Sequence, residues 1–386
     1  MPVAYAQLVT RESMPPWAWP VLSDAQRAIL LDVLVHGERS RAALARRNAL
    51  SRTSLTRLTR ELVDFGFVEE GEIAAPQGRG RPSEMLRIRP DSAHFAGIKL
   101  TGDALYAAVT DIHADVLHTE EHALVSREVA DVVALIGDVV RRAGEAYPRL
   151  SAVGVCLAGD VHVEGGAAVV MGSHFLGWDE VPLEALVTAE TGLPAAISND
   201  VQALTLAHHW FGAGVGRRSL VVIGLGAGIG AGLVVGDEPV RGARGHPGKV
   251  GHLRVTHRGP TCDRGHVGCA SAYVTAPALI SNSGVDGFWE TLDAARAGNP
   301  RAGEAVASAV YALGVVIATV ANLIDPEKII VTGEGRALAD VDRERLDAII
   351  AEHLDPALEP FEFEVTPFEF AHYAWGAAIS AIRHIV

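Results

Sequence analysis

The stretch Gly224-Leu225-Gly226-Ala227-Gly228-Ile229-Gly230-Ala231-Gly232 constrains the fold of this chain more than any other: five glycines at alternate positions, set against the apolar runs Ser219–Ile223 and Ala231–Val235. Glycine weakens a strand, so its repetition here marks a tight turn or a close approach of backbone to another group. Bare N–H groups at such a turn can hold a phosphate, which makes Gly226, Gly228 and Gly230 the candidate phosphate-type positions. The alternative is a hairpin whose glycines serve geometry alone. Just downstream, Gly245–Ser271 packs His252 and two of the chain's three cysteines, Cys262 and Cys269, among further glycines, the composition of a metal loop.

At 386 residues the chain has room for two or three domains. Three cysteines cannot all pair, which argues against a disulfide framework and for the cytoplasm. The first twenty residues lack a basic region followed by an apolar core and read as a flexible lead, not a secretory signal. The longest apolar run, Tyr311–Ile324, contains Gly314 and Asn322 and is too short to cross a bilayer, so no membrane partner is expected. The net charge of −14 is unevenly spread: between Pro20 and Pro90 there are twelve arginines, no lysine and nine acidic residues. A basic module on an acidic body fits a small nucleic-acid reader attached to something else.

Within that module Ser23 or Asp24, Ser40 and Ser51 are placed to cap three helices, and Gly37 and Asn48-Ala49 to separate them. The third helix sets Leu55, Leu58, Leu62 and Phe65 on one face. The other face presents Arg52, Thr53, Ser54, Thr56, Arg57 and Arg60. This is the pattern of a helix-turn-helix whose third helix enters the major groove, where arginine suits guanine edges and phosphates. Two strand-like runs, Phe67–Ile73 and Glu84–Arg89, enclose the loop Ala75–Pro82. The loop carries Arg79 and Arg81 and reads as a wing suited to a narrow minor groove. An ordinary three-helix bundle with a solvated arginine face is the plainer alternative.

The run from Ser40 through the loop motif Gly78-Arg79-Gly80-Arg81-Pro82 resembles the DNA-binding half of the ROK family (repressors, open reading frames and kinases). From Ala93 onward strand-like and helical runs alternate, the mark of α/β lobes. Among them are a hairpin Phe95–Leu100/Ala104–Asp111, helices at Ala130–Ala146, Glu180–Thr191, Val201–Phe211, Glu304–Leu323 and Ala371–His384, and strands at Ala152–Leu157 and Lys328–Val331. Residues 91–386 resemble the ROK body throughout. The fold class expected is therefore α/β: an N-terminal winged helix-turn-helix followed by two ribonuclease-H-like (actin/hexokinase-type) lobes. The divisions are a lead at 1–20, the DNA-binding domain at 21–90, a first lobe at 91–198 plus 371–386, and a second lobe at 199–370.

The resemblance assigns roles residue by residue, and several positions depart from it. Family kinases open the body with D-x-G-G-T; here Lys99 stands at the Asp position and one glycine survives, which argues against ATP turnover. The glycine hairpin resembles the second phosphate segment closely. In Val331-Thr332-Gly333-Glu334-Gly335, Glu334 interrupts the paired glycines of the nucleoside-contacting turn. Asn199-Asp200 match the sugar-binding pair, whose Asp would serve as general base in a kinase. His252, Cys262 and Cys269 match three of four zinc ligands; Arg264 stands at the fourth, so the set is one ligand short, with Asp263 and His266 the nearby groups. The expectation is a loop held by packing, with zinc as the alternative. Lys249 and Ser271 replace two sugar-contacting glutamates. Asn199, Asp200, Lys249 and His252 are left as candidate effector contacts, and Lys99 with Lys249 would favour an anionic sugar derivative.

The function implied is a DNA-binding transcriptional regulator, a repressor of carbohydrate-related genes. It would work as a homodimer or homotetramer on a palindromic double-stranded operator, with a sugar or sugar derivative as effector. Two alternatives stand beside it: an ATP-dependent sugar kinase that kept a DNA module, and a ligand-blind regulator whose body only oligomerises.

Overall fold

The computed structural model describes residues 19–74, 83–164 and 166–386. The 75–82 loop with Arg79 and Arg81, and residues 1–18 of the lead, lie outside the described residues.

Helix α1 (Asp24–His36) opens with a capping box in which Ser23 and Gln26 satisfy each other's backbone N–H groups. Ser40 and Ser51 cap α2 (Arg41–Arg47) and α3 (Arg52–Phe65), each such cap contributing about 1 kcal/mol. Strand β1 (Arg39–Ser40), too short to announce itself in the sequence, adds to β2 (Val68–Ala74) and β3 (Ser83–Ile88) to make a three-stranded sheet in the order β1-β3-β2. Leu44, Leu55, Leu58 and Leu62 fill the space between helices and sheet. Phe65 does not join them; it is 43% exposed, because Gly66 turns the chain into a left-handed conformation one residue later.

The first large sheet runs through β4 (His94–Leu100), β5 (Ala104–Asp111), β6 (Val116–Ala123), β7 (Leu150–Leu157) and β10 (Ala195–Asn199), in the order β10-β7-β4-β5-β6. Every residue of β7 is buried, as expected of a central strand read as one apolar run. A small hairpin, β8 (Asp160–Glu164) with β9 (Ala167–Gly172), follows β7. Helices α4 (Val129–Ala146) and α5 (Leu183–Thr191) pack together on this lobe. α5 begins three residues later than its pattern suggests: Glu180 has positive φ and Pro182 sits at the N-cap. α6 (Asp200–Phe211) leads away from the end of β10.

The second sheet holds β11 (Ser219–Leu225), β12 (Ile229–Val235), β13 (Glu238–Pro239), β14 (Lys328–Thr332) and β15 (Glu362–Val365), in the order β13-β12-β11-β14-β15. The glycine stretch is the turn and the paired strand ends of the β11–β12 hairpin, with Gly224 opposite Gly230. Helices α7 (Ser271–Val274), α8 (Ala276–Ser283), α9 (Phe288–Arg296), α10 (Pro300–Ile324) and α11 (Arg343–His353) complete this lobe. Helix α10 is long and apolar enough to cross a membrane, but its Ala309, Leu313, Val316 and Ile317 are fully buried in the second core.

The last helix, α12 (Ala371–Ile385), returns to lie across β4 and β7. A Cβ at Gly97 would fall 1.9 Å from the Ala374 carbonyl oxygen, and one at Gly154 only 1.7 Å from that of Ala377. Those two glycines are what allow so close an approach. α12 and α6 pack against each other, and the far ends of both enter one continuous core with the N-terminal module. Trp210, Ile382 and Val386 share it with Leu30, Phe67 and Ile88. Trp19 closes this joint, its ring 4.3 Å from Phe67 and 6.2 Å from Phe95.

Candidate functional site

Three places carry chemistry, beginning with the outer face of α3. Arg52, Thr53, Thr56, Arg57 and Arg60 are exposed and Ser54 is half-buried. The Thr56 hydroxyl donates to the Arg52 carbonyl at 2.9 Å. Arg57 meets Glu61 at 2.9 Å, a solvated i,i+4 pair of the kind worth about 0.3–0.5 kcal/mol and easily exchanged for another anion. Glu61 in turn accepts Gln26 Nε2 from α1 at 2.7 Å. Beneath this face the buried Asp32 accepts Arg47 Nε at 3.0 Å and Asn48 Nδ2 at 3.3 Å, fixing α2 to α1. The sequence gives no sign of that clamp, because an Asp in mid-helix looks solvent-facing until its partner is known.

The second place is a cleft of about 1050 Å³ between the two large sheets, and the glycine hairpin forms part of its wall. Asn199 and Asp200 stand there at the start of α6, but both are committed to the protein. Asn199 Oδ1 caps α6 by accepting the N–H groups of Val201 and Gln202, and its Nδ2 donates to the Gly159 carbonyl at 3.1 Å. Asp200 Oδ1 accepts the Val201 N–H at 2.9 Å, and Oδ2 accepts Lys99 Nζ at 2.5 Å. Lys99 is 3% exposed and its ammonium also lies 4.2 Å from the centre of the Tyr373 ring. Burial, followed by the charges of Asp200 and Glu334, holds the Tyr373 hydroxyl well above the usual phenol value. Burial likewise pushes the neighbouring Cys156 thiol up to about 12, so it offers no nucleophile.

Lys249 also lines the cleft, and it pairs with Asp160 of β8, which His246 Nδ1 approaches to 3.5 Å. Each of the two lysines expected to attract an anionic ligand faces a carboxylate, the Lys99 pair buried and the Lys249 pair open to solvent, and Arg127 and Arg264 also line the cleft. Ser271 begins α7 with a buried hydroxyl that meets no partner among the described residues. His252 is not part of the cleft wall.

His252 belongs instead to the third place. The bridge Thr261↔Val267 folds the chain between the two cysteines back on itself, and the Cys262 N–H bonds the His266 carbonyl at 2.9 Å. The turn uses Gly265 and Gly268, both at positive φ. As a result the ligand atoms of His252, Cys262, His266 and Cys269 all lie within 4.8 Å of one another. The set read as one ligand short is thus complete, with His266 as the fourth donor. Arg264 turns outward, 72% exposed and beside Asp263, and brings no charge into the cluster.

The donors fit zinc. Zinc–sulfur and zinc–nitrogen bonds of about 2.3 and 2.05 Å at a tetrahedral angle place S and N about 3.6 Å apart. His252 Nδ1 and Cys262 Sγ are separated by 3.6 Å. Desolvation raises the Cys262 thiol, but hydrogen bonds to it from the backbone N–H groups of Arg264 and His266 and from the Cys269 thiol together leave it below the usual value.

Two α/β lobes around a cleft, with a winged helical module fused to one of them, define the class. Residues 95–382 match the ROK family, and the chain belongs to it. Among curated relatives it is 26% identical over 345 residues to a putative xylose repressor of Caldicellulosiruptor sp. (strain Rt8B.4), covering 83% of this chain and 86% of that one. It is 24% identical over 330 residues to the DNA-binding transcriptional repressor Mlc of Escherichia coli (strain K12), covering 81% and 80%. Among solved structures, a ROK family transcriptional regulator homologous to E. coli Mlc superposes with a TM-score of 0.81 at 24% identity, over 94% of this chain and 96% of the other. A ROK family glucokinase from Streptomyces griseus, in complex with glucose and AMPPNP, superposes with a TM-score of 0.64 at 26% identity, over 75% of this chain and 100% of its own.

Proposed function

We propose that this protein is a DNA-binding transcriptional regulator, a repressor of sugar-related genes acting in the cytoplasm. The observation that carries the proposal is the solvent-exposed Arg52–Thr53–Thr56–Arg57 surface at the start of α3, on a winged module whose core is continuous with the ROK body. Relatives named as xylose repressor and Mlc align over four-fifths of the chain and favour the same reading. In a symmetric dimer or tetramer two α3 helices would read a palindrome, with half-sites spaced by whole helical turns. Arg57 is the residue best placed for a base edge, and Arg79 and Arg81 are assigned to the adjoining minor groove from their sequence alone.

The cleft would take a sugar or a sugar derivative as effector. α6 and α12 both start at its wall and end in the core shared with the DNA module, so a ligand that favours one lobe arrangement would bias the module through them. Zinc, where bound, would be held by His252, Cys262, His266 and Cys269 and would supply a fixed cross-link for the loop before α7. A kinase role is disfavoured because Asp200, the group needed as base, already accepts a hydrogen bond from the buried Lys99 ammonium.

Selection of bound fragments from a random double-stranded DNA pool by the purified chain tests the proposal. The expected product is an inverted repeat. Recovery of no preferred sequence, or of one unaltered by Arg57→Ala, contradicts it.

A further inference from the structure

The turn after β14 runs Gly333-Glu334-Gly335, a carboxylate between two glycines, and it lies against the glycine hairpin of the other lobe-two strands. The backbone of this turn is locked in place. The Gly335 N–H bonds the Leu225 carbonyl at 2.8 Å, and Gly333 is at φ +99°, where any Cβ would fall 2.3 Å from that same oxygen. Glu334 is therefore carried on a fixed base. Its side chain lies on the hairpin so closely that a Cβ on Gly226 would be 2.1 Å from Oε1. Oε1 accepts the Ala227 N–H at 3.4 Å. Oε2 is buried, and the Tyr373 hydroxyl lies beside the carboxylate.

A glycine hairpin that opens into a cleft offers bare N–H groups to an anion. A body of this fold holds AMPPNP in the Streptomyces griseus glucokinase. Here one such N–H already has an anion, and it comes from the chain itself. We propose that Glu334 is a built-in occupant of the hairpin's anion seat: it excludes nucleotide phosphates by charge and by bulk, and leaves the cleft to a ligand without a nucleotide. Two anions in one seat repel each other unless a cation joins them. Lys99, the buried cation among the described residues that line the cleft, is engaged with Asp200. This inference goes beyond the DNA-binding proposal and does not depend on it, since DNA retention is read without nucleotide present.

The test is calorimetric titration of the full chain with MgADP. The wild-type chain is expected to show no saturable binding up to millimolar nucleotide, and Glu334→Gly to bind at least about tenfold more tightly. Glu334→Gln keeps the size and removes the charge; it is expected to gain affinity too, and it serves as the readout should the glycine variant fail to fold. Saturable micromolar binding by the wild-type chain would overturn the proposal. So would folded variants that bind MgADP no better than wild type.

Discussion

Charged groups stand in two open places in this molecule, and they are treated in opposite ways. On α3, Arg52 and Arg60 have no ion-pair partner among the described residues, and Arg57 holds only a solvated Glu61. In the cleft the buried Lys99 meets Asp200, Glu334 meets a backbone N–H, and Lys249 meets Asp160 in a pair open to solvent. A cation left in water keeps its hydration and exchanges it cheaply for phosphate. A cation buried with its carboxylate has already made its interaction, and a ligand must break that before it can gain anything. In the cleft Lys99 is already engaged, and the solvent-open Arg127, Lys249 and Arg264 are the cations left on its wall. The glucokinase superposes on three-quarters of the chain and the regulator on nearly all of it.

The sharpest way to break this contrast is to remove one member of the buried pair. Lys99→Met leaves Asp200 charged and without its ion-pair partner, and it should cost about 3–5 kcal/mol of stability by denaturant unfolding. The double change Lys99→Met/Asp200→Asn should recover much of that loss. An unaltered midpoint in the single variant would mean that the pair is not held as described. Next in size is the metal cluster. Wild-type chain should retain one zinc after dialysis, and His266→Ala should weaken it by at least about tenfold, read by competition with a chromogenic chelator. Equal retention by both would return His266 to an ordinary surface residue.

Much of this was legible from the sequence where the physics is local. Three serine caps and the leucine spacing of α3 placed the helices of the module, and the glycine stretch placed the β11–β12 hairpin. What escaped depends on partners far along the chain. Asp160 answers Lys249 from 89 residues away and Asp200 answers Lys99 from 101, and no spacing rule connects either pair. The sequence leaves the fourth donor open between Asp263 and His266. His266 lies only four residues from Cys262, yet whether it faces the cluster depends on the fold-back at Gly265 and Gly268, which ligand spacing alone does not encode. β6 was missed because its residues are mostly exposed and, with Glu120 and Glu121 among them, this edge strand carries no apolar alternation.

The smallest effect bears on the central claim most directly. Fluorescence anisotropy would compare wild-type chain with Arg57→Ala on the selected inverted repeat and on a scrambled duplex of equal length, at fixed salt. If α3 reads bases, the variant should lose about 1–3 kcal/mol on the repeat and little on the scrambled DNA. Equal affinity of both proteins for both duplexes would contradict the account.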